Sequence, residues 1–255
     1  VTQVGLSVIG LTEFGEFLPG APLGSLIADA LRPLSPVLHP RDVIVIAQKA
    51  VSKVEGRYVR LADIQPSPRA IELAAITKKD PRLVQVVLNE SSEVLRATTN
   101  VLIARHRNGC VCAQAGVDRS NVPHADGERA LLLPEDADAS AAQIRAQLWQ
   151  LLGVAPGVII SDSFGRPWRI GSVNIALGAA GVPALWDRRG EPDRNGRTLE
   201  STEIAWADAV AATAGLVMGE AAESTPVVVV RGLDWNAPER PARALIRPLA
   251  QDLFR

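Results

Sequence analysis

The chain has 255 residues, 47% hydrophobic and 22% charged, enough to bury a sizeable core. Its formal net charge of −1 excludes the basic excess that nonspecific nucleic-acid binding needs. No apolar run reaches the length of a membrane span, and Val1-Thr2-Gln3 opens without the basic and apolar regions of a signal peptide.

In chain order, residues 4–9 read as a first strand closed by Gly10, and 23–31 as a short helix ended before Pro33. Residues 42–47 are a buried strand, followed by the polar, basic stretch 48–57, which by itself reads equally well as a solvated connection. Residues 66–76 form a helix with Ser67 or Pro68 at its start. Asp80-Pro81 caps a second helix that carries Leu83, Val84, Val87 and Leu88 on one stripe. Residues 101–104 and 110–113 are strands around Asn108-Gly109, a hairpin signal. Cys110 and Cys112 alternate with Val111, so both face one side. With only three histidines and no second cysteine pair they are small buried hydrophobes rather than zinc ligands. Reduced thiols and no targeting signal imply a cytoplasmic protein.

The run Val111 to Ala115 breaks at Gly116, and Asp118 and Asn121 follow on a loop. Residues 140–152 are a helix capped by Gly153, and 158–160 are a strand. That strand delivers Asp162 to its end, beside Ser161, Ser163, Gly165 and Arg166. Residues 187–200 form a polar, turn-rich loop or interface arm. Residues 200–218 are a long Ala-rich helix stopping near Gly219, and 226–230 a last core strand. Elements mix without strict βαβ alternation, so the fold class is α+β, with mixed sheets and flanking helices.

Asp118 and Asp162 are the candidate chemistry. Hard cations such as magnesium take carboxylate and hydroxyl oxygens on a fixed frame and bridge them to phosphate. Taken singly, each segment also fits an Asx turn or a helix N-cap. No Walker A loop or G-x-G-x-x-G occurs, so generic nucleotide motifs are silent.

The order and spacing of several segments resemble the GTP-dependent coenzyme F-420-0: L-glutamate ligases, or γ-glutamyl ligases. They are Val8-Ile9-Gly10-Leu11, Ala50-Val51-Ser52-Lys53-Val54-Glu55-Gly56-Arg57, Ala115-Gly116-Val117-Asp118-Arg119-Ser120-Asn121 and Ser161-Asp162-Ser163-Phe164-Gly165-Arg166, then Met218-Gly219-Glu220 and Val228-Val229-Val230-Arg231-Gly232. The resemblance runs over nearly the whole chain, residues 1–255 as one ligase domain with the γ-glutamyl-ligase-like fold, and implies an intertwined homodimer. It implies joining of L-glutamate to the lactyl carboxylate of the deazaflavin precursor F-420-0, with further γ-linked glutamates in some members. GTP would first phosphorylate that carboxylate to an acyl phosphate, and GDP and phosphate would be released.

Residue by residue, the resemblance implies that Gly10, Leu11, Thr12 and Glu13 line the nucleotide, with Gln48 and Lys49 as a contacting pair. Lys53 becomes a phosphate-facing cation and Asn121 a nucleotide contact. Met218, Gly219, Glu220, Ala221, Ala222, Glu223, Ser224 and Thr225 border GTP. Asp118 and Asp162 become ligands of one divalent ion, magnesium or manganese, and Ser163 and Glu220 of a second. Family members often carry a small hydroxyl pair where Gln48-Lys49 stands, and many have threonine in place of Ser163. The segment 123–129 is longer and more polar than the family pattern. Mycobacterial relatives continue into a flavin domain, so this chain is a single-domain member or a ligase domain alone. The competing readings are amide ligation on another phosphorylated carboxylate, and a non-catalytic deazaflavin- or nucleotide-binding protein.

Overall fold

The structure, a computed structural model, describes residues 5–34, 37–122 and 127–252. The elements in chain order are β1 (Ser7–Leu11), α1 (Leu23–Leu31), β2 (Val43–Ala47), α2 (Gln48–Val54), β3 (Tyr58–Arg60), α3 (Pro68–Thr77), α4 (Pro81–Glu90), β4 (Ser91–Thr98), β5 (Val101–His106) and β6 (Val111–Ala113). There follow β7 (Arg129–Leu131), α5 (Ala137–Leu152), β8 (Gly157–Arg166), β9 (Arg169–Ala180), β10 (Leu185–Asp187), β11 (Glu203–Ala205), α6 (Trp206–Met218) and β12 (Val227–Arg231). The α+β expectation agrees with this mixture.

The main sheet has five strands in the order β1-β12-β2-β8-β9. Only β2 and β8 run parallel, with Ala47 opposite Ser161; the other neighbours are antiparallel. Strands buried on both faces need apolar side chains at every position, and β2 and β12 supply β-branched runs. Ile44, Ile46, Val158, Ile160, Val227 and Val229 pack on one face with α1 and α5. Val43, Val45, Ile159, Val228 and Val230 pack on the other with α6. A third cluster joins α3, α4 and the small β4-β5-β6 sheet through Leu73, Val84, Val87, Leu102 and Ala104.

Local signals act as expected at several ends. Ser67 Oγ accepts the Ala70 N–H at 3.2 Å, Asp80 accepts the Arg82 N–H at 2.8 Å, and Gly153 ends α5 at φ 70°. Cys110 and Cys112 are free and buried, and burial pushes each thiol up to about 12, so neither is a reactive thiolate near neutrality.

Several expectations are corrected. The first strand, Ser7–Leu11, runs through Gly10 instead of ending there; Val4 lies outside the described residues. The stretch after β2 is helical, because Gln48-Val54 buries Ala50 and Val51 beneath its polar face. β4 was not expected, since its residues are mostly exposed or half-exposed and polar. The strand read as residues 158–160 extends to Arg166, because β9 pairs with it along its whole length. The helix expected from residue 200 starts only at Trp206; residues 203–205 pair with β10 instead.

Helix α5 lies directly on β9. Asp138, in its first turn, accepts the N–H groups of Ala179 at 2.9 Å and Ala242 at 2.7 Å. A methyl on Gly178 would stand 2.1 Å from the Ala137 carbonyl oxygen, a backbone atom that cannot rotate away. Gly178→Ala should therefore destabilise the protein by about 1–3 kcal/mol, the usual cost of overpacking. Denaturant unfolding that leaves the midpoint of the variant unchanged would contradict this contact.

Candidate active site

β2 ends at Ala47 beside Ser161 of β8, which runs on past it, and from this level onward the chain carries charge along both. From Ala47 it turns into α2, which presents Lys49 and Lys53 one turn apart on one face. From Ser161 it continues to Asp162 and Ser163. Facing them are Asn121, at φ 55°, and the loop after α6. Together these segments enclose a cavity of about 450 Å³. Its walls include Gln48, Lys49, Lys53, Asn121, Asp162, Ser163 and every residue from Met218 to Pro226.

Most of the residues singled out in the sequence thus meet in one place. Gly10, Leu11, Thr12 and Glu13 are not on the cavity wall; Leu11 is in the core, and the chain reaches the cavity just beyond, at Phe14, Gly15 and Phe17. Gln48 is buried, and its Oε1 accepts the Ser52 hydroxyl at 2.9 Å. Asp118 also lies off the wall but is joined to it by Lys49, whose Nζ is 2.6 Å from Asp118 Oδ2 and 2.6 Å from Ser120 Oγ. Of the segment 123–129, residues 123–126 lie outside the described residues.

The two carboxylates live in opposite environments. Burial pushes the Asp118 carboxyl up, but the Lys49 hydrogen bond, the Ser120 N–H and hydroxyl, and the Lys49 charge outweigh it, so Asp118 stays below the usual carboxylate range. Burial pushes Asp162 up to about 7; the Ser163 N–H and Lys49 oppose this, and the charges of Asp118 and Glu220 add to it. No lysine or arginine closes an ion pair with Asp162 among the described residues. Lys53 is lowered by burial and by Lys49, with Glu16 acting the other way.

Among the cavity residues not anticipated as site residues are Phe14, Phe17, Ser161 and Asn174. Phe14 and Phe17 contact each other with ring centroids 5.6 Å apart. Ser161 is 1% exposed, and its hydroxyl has no hydrogen-bond partner. A register shift between Ile160 and Ser161 in the β8–β9 ladder falls here, a feature that re-aims side chains near sites. Strand alternation from Ser163 was the one sequence signal that could have found Ser161.

Among the described residues no three His, Cys, Asp or Glu side chains converge closely enough to hold a metal by themselves. The donors present nevertheless fit a hard divalent ion: they are all oxygens, Asp162 is a desolvated carboxyl without a cation, and Ser161 is an orphaned hydroxyl beside it. Magnesium characteristically takes one or two carboxylates and completes its shell with water and substrate phosphate.

Residues 13–232 match the family described as F420-0:Gamma-glutamyl ligase. The chain is 43% identical over 254 residues to the Coenzyme F420:L-glutamate ligase of Methanothermobacter thermautotrophicus, covering 99% of this chain and 100% of that one. It is 47% identical over 242 residues to the protein of the same name from Methanopyrus kandleri, covering 93% and 92% of the two chains. Against that of Methanocaldococcus jannaschii it is 47% identical over 214 residues, 84% of each.

The orphaned hydroxyl has a measurable consequence. A buried polar group without a partner costs about 1–3 kcal/mol, and alanine removes it without adding bulk. Ser161→Ala should raise the stability of the ligand-free protein by about 1 kcal/mol, some 2–4 °C in Tm for a chain of this size. A lower Tm than wild type would mean that the hydroxyl is satisfied in solution.

Proposed function

This chain belongs to the F420-0:Gamma-glutamyl ligase family, and from that premise we propose that it is a GTP- and metal-dependent ligase attaching L-glutamate to F-420-0. The observation that carries this reading is the meeting of Asp162, Ser163, Lys53, Asn121 and residues 218–225 in one cavity. These segments are far apart in sequence, and their residue types are those that phosphate and hard cations require.

A carboxylate is a poor electrophile and has no leaving group. Transfer of the γ-phosphoryl of GTP to the lactyl carboxylate of F-420-0 makes an acyl phosphate and releases GDP. The glutamate amine then attacks the acyl carbon, the C–O bond to phosphate breaks, and an amide forms. Divalent ions, when bound, supply charge neutralisation on the transferring phosphoryl group. Asp118 and Asp162 would hold one ion, Ser163 and Glu220 the other. Lys53, half-buried on the cavity wall, offsets negative charge that shifts along the phosphate chain. Asn121 and the 218–225 loop orient the nucleotide. No side chain is needed as a nucleophile.

A homodimer is the proposed working unit. The tip of the β8–β9 hairpin offers apolar surface for it, with Trp168 87% exposed and Ile170 fully exposed. The 187–200 loop, which is mainly charged, offers less.

The test is mass spectrometry of products from purified protein with F-420-0, L-glutamate, GTP and manganese, read with GDP release. Glutamylated F-420-0 and GDP release that needs both acceptor and glutamate are expected. GDP release indifferent to glutamate, or none with F-420-0, would refute the reading.

Three variants test the roles. Asp162→Asn should lower kcat by about a hundredfold or more with the fold intact, since it removes charge from a preorganised site. Asp118→Asn should lose turnover similarly and also loosen the turn at Arg119 and Ser120, whose N–H groups Asp118 accepts at 2.6 and 2.8 Å. Near-normal activity of either at saturating metal would end the two-carboxylate assignment. Lys53→Met should lower kcat by about ten- to a hundredfold while KM for the acceptor changes little, because a cation aimed at the phosphoryl group acts chiefly in the transition state. An unchanged kcat would remove Lys53 from the site and leave phosphate neutralisation to the divalent ions.

A further inference from the structure

Asp118 is already saturated. Its Oδ1 accepts the N–H groups of Arg119 and Ser120, and its Oδ2 takes the Ser120 hydroxyl at 2.7 Å and the Lys49 ammonium at 2.6 Å. An ionised carboxylate offers about four acceptor directions, so none is left for another cation. The contact with Lys49 is nonetheless open to exchange, since the two side chains are 29% and 36% exposed. Lys49 also lines the cavity itself, one turn along α2 from Lys53.

We propose that Lys49 is a displaceable internal cation, occupying Asp118 until a divalent ion ejects it and then turning into the cavity to meet the phosphate chain of the nucleotide. The inference rests on the metal-dependent reading given above. It explains why a side chain with a strong ion pair stands on the wall of a cavity that must accept a polyanion. It also makes metal and nucleotide binding help each other. A metal arriving alone breaks the Lys49–Asp118 pair and leaves the ammonium without a new partner. With phosphate present the ammonium exchanges one anion for another. Coupling of this kind is reciprocal, so bound metal strengthens nucleotide binding by the same factor.

The experiment is a titration of the full chain with Mn2+ in the absence of nucleotide, following free Mn2+ by electron paramagnetic resonance. Lys49→Met should bind Mn2+ about tenfold more tightly than wild type, equivalent to about 1.4 kcal/mol. Lys53→Met removes the same charge from the same helix face without touching Asp118, and should tighten binding by less than about threefold through screened, longer-range repulsion. Adding Asp162→Asn to Lys49→Met should abolish the gain, placing the ion at this site. If Lys49→Met does not fold, Lys49→Gln removes the charge while retaining a hydrogen-bond donor, and carries the same expectation. Equal affinity in wild type and the Lys49 variant, or an equal gain from Lys53→Met, would overturn the displacement while leaving metal dependence standing. Absence of saturable Mn2+ binding in every protein would overturn the metal-dependent reading, and the role of Lys49 with it.

Discussion

The site depends on one parallel strand pair. In a sheet that is otherwise antiparallel, β2 and β8 run in the same direction, and β2 ends at Ala47 beside Ser161 while β8 continues along β9 to Arg166. Parallel neighbours send both chain exits to the same edge, where open sheets commonly bind ligands. At that level β2 gives way to a short helix bearing two lysines, while β8, still paired with β9, presents Asp162. Antiparallel pairing would have put these opposite charges at opposite ends of the sheet. The apolar side chains of β2 and β8 are buried on both faces, so the register of the pair, and with it the separation of cations from carboxylate, is held by the core.

That frame lets two aspartates behave differently. Asp118 sits at an isolated β-bridge with Leu131, just before a turn whose N–H groups and hydroxyl it accepts, and with Lys49 its side chain collects four polar contacts. Asp162 sits within a strand, where desolvation is offset by little besides the Ser163 N–H and a more distant lysine. A carboxyl of the second kind gains most from an arriving positive charge. The first is already provided for by the protein. The asymmetry follows from the partners each position offers, a following turn and Lys49 for Asp118 and little beyond the Ser163 N–H for Asp162, and not from residue type.

What the sequence makes legible follows the range of the forces involved. Caps at Ser67, Asp80 and Gly153 and the Asn108-Gly109 turn depend on neighbours within a few residues, and all were readable. The helical character of residues 48–54 was not, because its apolar face is short, Ala50, Val51 and a partly buried Val54, and its helicity depends on packing against the core. The extension of β8 past Ile160 depends on β9 as a hydrogen-bond partner, which polar residues such as Ser161 and Ser163 do not advertise. In the site, Asp118 and Asp162 stood out by position after apolar runs. Their gathering with Lys53, Asn121 and residues 218–225 came from resemblance to a family. Ser161, Asn174, Phe14 and Phe17 gained their place at the cavity only through tertiary packing.

Gly10 shows how a motif residue can report on something other than chemistry. A methyl there would stand 2.6 Å from Thr225 Cγ2 and 2.9 Å from Val217 Cγ1. The glycine is where β1 passes under the end of α6 and the loop that follows it. A larger residue here would require Thr225 and Val217 to shift or shrink, whether or not the chain still handles a nucleotide. Gly10 therefore speaks for the architecture: it is the gap through which strand and helix end approach, and its place in the motif is accounted for by packing alone.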